Sequence, residues 1–150
     1  MYSPTIITWV LVVFGLVTCL PLFGAQLVML FKPSSQKASD ILIGKGKEWR
    51  DKTHFHSALG MAWADWLLLA PLLMAGSVGV LSGHLWGYVL WAAAGAISLY
   101  INIVLWILEK KYVYPSQGPL IYYTYYWGFF IYWGTAVLIY STLRLAGVMF

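Results

Sequence analysis

The sequence predicts an all-α protein, a four-helix transmembrane bundle with its N-terminus and C-terminus both outside and a short hairpin between the second and third spans. Three observations carry that prediction. Of 150 residues, 61% are hydrophobic and only 9% charged, whereas about a quarter of an ordinary soluble domain is charged. The apolar residues gather in four runs, at 6–31, 58–81, 85–108 and 120–143, each reaching the roughly 20 residues that cross hydrocarbon as a helix. The basic residues fall on alternate connections. Lys32, Lys37, Lys45, Lys47, Arg50 and Lys52 lie between the first two runs and Lys110 and Lys111 between the last two, with Arg144 alone on the other side. By the positive-inside rule both basic loops are cytoplasmic. The expectation is a single integral-membrane domain over 1–150, in a bacterial cytoplasmic (inner) membrane. Helices are the better reading than a membrane β-barrel, whose strands alternate in polarity, whereas these runs are continuously apolar and include Ala92-Ala93-Ala94-Gly95-Ala96.

The first span, 6–31, follows Met-Tyr-Ser-Pro. That start lacks the basic region of a signal peptide, and the apolar run is too long for one. Its Cys19 is the one cysteine of the chain. It excludes an internal disulfide and a Cys-x-x-Cys relay, and reads as a small packing residue. The cytoplasmic loop 32–57 opens on Lys-Pro-Ser-Ser and carries Gly44 and Gly46, so its first half is predicted irregular. Its second half, 48–56, is predicted to lead as a helix into the second span, with Thr53 or Ser57 as the cap. Spans 58–81 and 85–108 form a hairpin closed by Ser82-Gly83-His84. Ala75 with Gly79, and Ala92 with Ala96, place small residues four apart on both, a pattern that lets helices approach closely or serves an oligomer contact. In the loop 109–119, Tyr114-Pro115-Ser116-Gln117-Gly118-Pro119 reads as a turn, with Pro119 suited to open the span 120–143.

Asp65, in Trp63-Ala64-Asp65-Trp66, is the only acid inside the four runs. A charge at the bilayer centre costs about 2.5–3.5 kcal/mol on insertion scales, so an intramembrane acid marks a candidate site. At about 1.5 Å per residue, Asp65, Asn102, Gln26 and the stretch 124–127 reach one layer about 6–10 Å below the cytoplasmic boundary. Helical spacing places His54, Met61 and Asp65 on one stripe and Ser98, Asn102 and Glu109 on another. The two stripes predict a shallow vestibule that opens to the cytoplasm and ends at Asp65. A carboxyl so placed binds a cation, accepts a proton or holds an amine. It equally serves as an interhelical hydrogen bond, although such bonds average only about 0.6 kcal/mol.

The last run is crowded with aromatics, of which Tyr122 and Tyr123 suit an interfacial belt. Tyr126, Phe129 and Trp133 recur on one helix face and are expected either to pack in the core or to stack a flat apolar ligand. No metal site is expected, because His54 and His56 point to different helix faces and His84 lies across the membrane. Nucleophile-elbow, phosphate-loop and zinc-protease motifs are absent from the sequence. An outside N-terminus, a long basic first loop and an acid on the second span are similar in outline to the four-helix eicosanoid and glutathione-metabolising membrane proteins. Their Arg-rich helix start and Asn-x-x-Glu pattern are not present, so the resemblance implies no glutathione chemistry.

The expected function is non-enzymatic. The chain binds a lipophilic small molecule (lipid, quinone, sterol or pigment) or acts as an accessory subunit of a larger complex or a homo-oligomer. Asp65, Asn102, Gln26, Thr124, Tyr126, Phe129 and Trp133 are the expected contacts, and the sequence specifies no cofactor and no nucleic-acid partner. Two alternatives stand beside it: a membrane enzyme with Asp65, His54 and Glu109 as acid or base, and an oligomeric proton- or cation-coupled transporter.

Overall fold

A computed structural model of the chain describes residues 2–113 and 121–148, with the backbone alone at 113 and 121–126, and every regular element among them is helical. Helix α1, Ile6–Phe31, starts at a capping box in which Thr5 Oγ1 accepts from the Thr8 amide and the Thr8 hydroxyl accepts from the Thr5 amide. A short helix α2, Gln36–Leu42, is capped by Ser35, whose Oγ accepts from the Ala38 amide at 3.2 Å. It occupies the half of the loop predicted to be irregular. Asp40 then accepts from the Gly46 amide at 2.9 Å, and Gly44 and Gly46 turn the chain at positive φ.

Helix α3, Lys52–Ala64, is capped by Asp51, whose Oδ1 accepts from the His54 amide at 2.9 Å. Neither Thr53 nor Ser57 is that cap, because the helix begins ahead of both. A π-helical segment, Asp65–Leu69, carries α3 into α4, Ala70–Leu81. Pro71 accounts for the widened turn. It has no N–H to offer, and its ring crowds the carbonyl four residues back, at Leu67. The Ala70 amide reaches Asp65 O instead. Helix α5, Leu85–Leu108, ends in a second π-helical segment, Glu109–Val113, and α6, Ile121–Leu145, closes the chain.

Three of these helical runs are long and apolar enough to cross a membrane: Ile6–Phe31, Lys52–Leu81 and Leu85–Tyr112. Helix α6 is of similar length, 25 residues, but its tyrosines and tryptophans make it less apolar. It packs chiefly against α5.

Small residues set the closest approaches. A Cβ on Gly87 would stand 2.3 Å from Val80 N and 2.4 Å from Gly79 C. A Cβ on Gly95 would stand 2.9 Å from Gly134 O on α6. The hairpin therefore packs through Gly76, Gly79 and Gly87, while Ala75 and Ala96 face outward. The expected small-residue face was correct at Gly79 and one residue off beside it. Indole N–H groups add ties between helices: Trp133 Nε1 donates to Leu11 O at 3.0 Å, Trp66 Nε1 to Phe23 O at 3.2 Å and, within the hairpin, Trp91 Nε1 to Ser77 Oγ at 3.1 Å.

Both termini and the α4–α5 turn meet at one end of the bundle. The Tyr2 amide donates to Gly83 O at 3.0 Å, and Arg144 Nη2 donates to Ser3 O at 2.9 Å. Tyr140 bonds the hydroxyls of Thr5 and Thr8 at 2.9 and 2.7 Å. Helix α2 and the basic loop lie at the opposite end.

Candidate functional site

At that loop end the helices separate around a cavity lined by α1, α2, α3, both π-helical segments, α5 and α6. Its volume is about 80 Å³, several times the roughly 10–15 Å³ that one water needs by the same measure. With its open mouth included the hollow is about 750 Å³.

The floor is polar. Gln26 Nε2 donates to Asp65 Oδ2 at 2.6 Å, joining α1 to the first residue of the π-helical turn. That bond fixes the amide's orientation and leaves Gln26 Oε1 buried without a hydrogen-bond partner among the described residues. Asn102 behaves alike. Its Nδ2 donates back to Ser98 O at 2.7 Å, and its Oδ1 is buried without a partner among the described residues. Such a group forfeits its hydration, typically at 1–3 kcal/mol. Around the floor, Leu22, Leu69, Ile101, Leu105, Trp127 and Phe130 form an apolar wall.

The mouth carries the second acid. Glu109, the first residue of the other π-helical segment, places Oε1 3.8 Å from Nε2 of the buried His54. His54 Nδ1 accepts from the Arg50 amide at 3.4 Å, which leaves Nε2 to carry the proton towards Glu109. Trp49 packs its ring edge-on against the imidazole, with centroids 5.0 Å apart. Across the rim, the Tyr112 hydroxyl donates to Asp51 Oδ2, and the Arg50 guanidinium lies 4.4 Å from the Tyr112 ring centre. The Tyr112 hydrogen bond, followed by those from the His54 and Thr53 amides and the charge of Arg50, holds the Asp51 carboxyl below its ordinary pKa.

The structure thus brings Gln26, His54, Asp65, Asn102 and Glu109 to one cavity, together with Met61 of the same stripe. Ser98 lies beneath Asn102, where its Oγ donates to Phe130 O at 3.3 Å. Two of the expected aromatics stand elsewhere. Trp133 is wholly buried between α6 and α1, where its indole fills the space that Gly15 leaves. Phe129 is half-exposed and edge-on to Phe14. The aromatic wall is Trp127 and Phe130 instead, on the neighbouring face of α6. The side chains of Thr124 and Tyr126 lie outside the described residues. Sequence reasoning also missed the cover from Leu42, Ile43 and Trp49. The signal for the first two was Ser35, a good N-cap that announces α2.

Among the described residues no group of three or more histidine, cysteine, aspartate or glutamate side chains is arranged to hold a metal ion. Comparison with family models, with curated proteins and with solved structures finds no match. The arrangement joins an apolar wall, an acceptor-rich floor and an acid–imidazole pair at the opening. It suits a small amphiphile whose polar end enters first.

Proposed function

We propose that the chain is a small integral-membrane protein that binds a lipophilic ligand in this cavity. One observation carries the reading. Gln26, His54, Asp65, Asn102 and Glu109, all buried, converge on one hollow, and Gln26 and Asn102 each carry an oxygen without a hydrogen-bond partner among the described residues. Ligand sites are typically apolar concavities with a few convergent polar groups. Packing alone gives no reason to bury two orphan acceptors next to a carboxyl.

In this reading all four helices cross the bilayer, with the loop end cytoplasmic and both termini outside, in a bacterial inner membrane. Two things support it: the basic residues of the loop end, and a band of exposed apolar side chains on every long helix. That band includes Val10 and Val17 on α1, Leu67 and Met74 along the second run, Val89 and Ile103 on α5, and Phe129 and Ile139 on α6.

The test is extraction into lipid nanodiscs followed by native mass spectrometry. The wild type is expected to carry a lipophilic molecule that Ala58→Phe, which puts a ring into the hollow, no longer retains. Equal retention by the filled variant would place the molecule on the lipid-facing surface and sink the reading.

A second reading has its own observation, the His54–Glu109 pair at 3.8 Å opening onto the same hollow as Asp65. It makes the protein an enzyme on a lipid-like substrate, with these groups as acid or base. It requires that the molecule recovered from His54→Gln differ chemically from that recovered from the wild type. Identical molecules from both would remove it.

A further inference from the structure

We infer that the ligand's polar end is a primary ammonium group seated on Asp65, with its hydrocarbon part along the wall of Leu22, Leu105, Trp127 and Phe130; this rests on the ligand-binding reading above. The donors of the floor are already engaged. Gln26 Nε2 faces Asp65, and Asn102 Nδ2 faces Ser98 O. What remains among the floor residues is acceptors: the Asp65 carboxylate, with Gln26 Oε1 and Asn102 Oδ1, which have no hydrogen-bond partner among the described residues. Both amide residues are more than nine-tenths buried, at 6% and 3% exposure, so their oxygens are not oriented for bulk water.

Three acceptors call for three donors. A primary ammonium offers three N–H groups and no lone pair, a hydroxyl offers one, and a trimethylammonium offers none. Quinone and sterol-ketone carbonyls bring further acceptors to a floor of acceptors. The charge points the same way. Among the described residues Asp65 and Glu109 line the cavity and no lysine or arginine does, so His54 is the only basic group among them there. A carboxylate or phosphate head meets repulsion at both levels, whereas an ammonium supplies the counter-charge that Asp65 lacks among the described residues. Pairing with hydrogen bonds is what makes a buried charge tolerable.

The two π-helical turns add a separate pointer. Such turns are rare and gather at functional sites, and here each begins with an acid that faces the cavity, Asp65 in one and Glu109 in the other.

The test is equilibrium dialysis of the whole protein in lipid nanodiscs, with binding to empty discs subtracted, using octylamine, octyltrimethylammonium, octanol and octanoate at pH 7. Like lysine, whose pKa is about 10.4, octylamine is charged there. Octylamine is expected to bind saturably and best. Asp65→Asn should weaken it by about ten- to a hundredfold, the loss of a hydrogen bond to a charged group, and leave octanol unchanged. If Asp65→Asn fails to fold, the ranking of the four probes on the wild type decides. Octanol, octanoate or octyltrimethylammonium binding as tightly as octylamine overturns the ammonium assignment and leaves the cavity as a lipophilic site. Unchanged octylamine affinity in a folded Asp65→Asn removes Asp65 as the seat. Absence of saturable binding by any of the four counts against the ligand-binding reading itself.

Discussion

At the end that carries both termini, Gly79 and Gly87 bring α4 and α5 so close that a single methyl would meet backbone; at the loop end the same two runs stand apart around a cavity with unsatisfied oxygens in its floor. The termini end is tied across the chain by hydrogen bonds, although Tyr88 Oη, Ser141 Oγ and Arg144 Nε are buried there without a partner among the described residues. The N-terminal segment reaches the α4–α5 turn, and Tyr140 gathers two threonine hydroxyls. Arg144, which counts in the sequence as the lone basic residue of its side, is buried there. It donates to Ser3 O and lies 5.5 and 5.3 Å from the ring centres of Tyr2 and Tyr88. The loop end replaces glycine contacts with two π-helical turns, a buried acid on each, and a cover from α2. Tight packing is what stability selects, and a polar hollow is what it selects against. On the proposed ligand-binding reading, the loop end is the end that holds the ligand.

The largest test of that difference adds one methyl to the tight end. Gly87→Ala forces Cβ against Val80 N and Gly79 C, atoms that move only if the helices part. Overpacking of this kind costs about 1–3 kcal/mol and occasionally more. The upper part of that range is expected in a denaturant titration in mixed micelles. A loss below about 0.5 kcal/mol, the usual effect of a surface change, would mean that the hairpin gives way easily and that the two ends do not differ in rigidity.

The opposite sign is expected at the loop end. Asn102→Leu removes a buried oxygen that has no partner among the described residues, together with an Nδ2 donor whose acceptor, Ser98 O, is a helix carbonyl. The orphan is worth about 1–3 kcal/mol of relief, and the lost hydrogen bond about 1 kcal/mol of cost. The same titration should show a change near zero or a gain of about 1 kcal/mol. A loss as large as that of Gly87→Ala would make Asn102 a structural pin and leave the floor without a binding rationale.

These two sites also mark what the sequence discloses. Asn102, Asp65 and Gln26 were legible because polar side chains stand out in apolar runs, and rise per residue puts them at one depth without knowledge of the packing. His54 and Glu109 followed from helical periodicity. The rest depended on rotation about a helix axis. Helix α6 is aromatic on every side, so nothing in its pattern says that Trp127 and Phe130 face the hollow while Phe129 turns outward and Trp133 fills the gap at Gly15. The hairpin face was misplaced by one residue for the same reason, Ala75 being as small as Gly76. The π-helical turn at Asp65 did have a signal, Pro71, in a helix too long to end there. The bond from Tyr112 to Asp51 had none, since it joins parts of the chain far apart in sequence.

That bond carries the smallest test, through pH. Asp51 caps α3 and receives the Tyr112 hydroxyl at the rim of the cavity, and these contacts lower its carboxyl pKa. A carboxyl with a folded pKa below its unfolded value of about 3.9 stabilises the fold above that value and loses the contribution as pH falls through the folded pKa. Asp51→Asn should therefore lower Tm at pH 7, by less than Gly87→Ala does, and the gap to the wild type should close in acid below the ordinary carboxylate range. Because the side chain is solvent-exposed, salt should shrink the share owed to Arg50 and spare the capping share. A gap that persists unchanged into acid would show that the ionised form is not what holds the rim. The loop end would then be closed by its packing and its neutral hydrogen bonds, with no share from the charge at the rim.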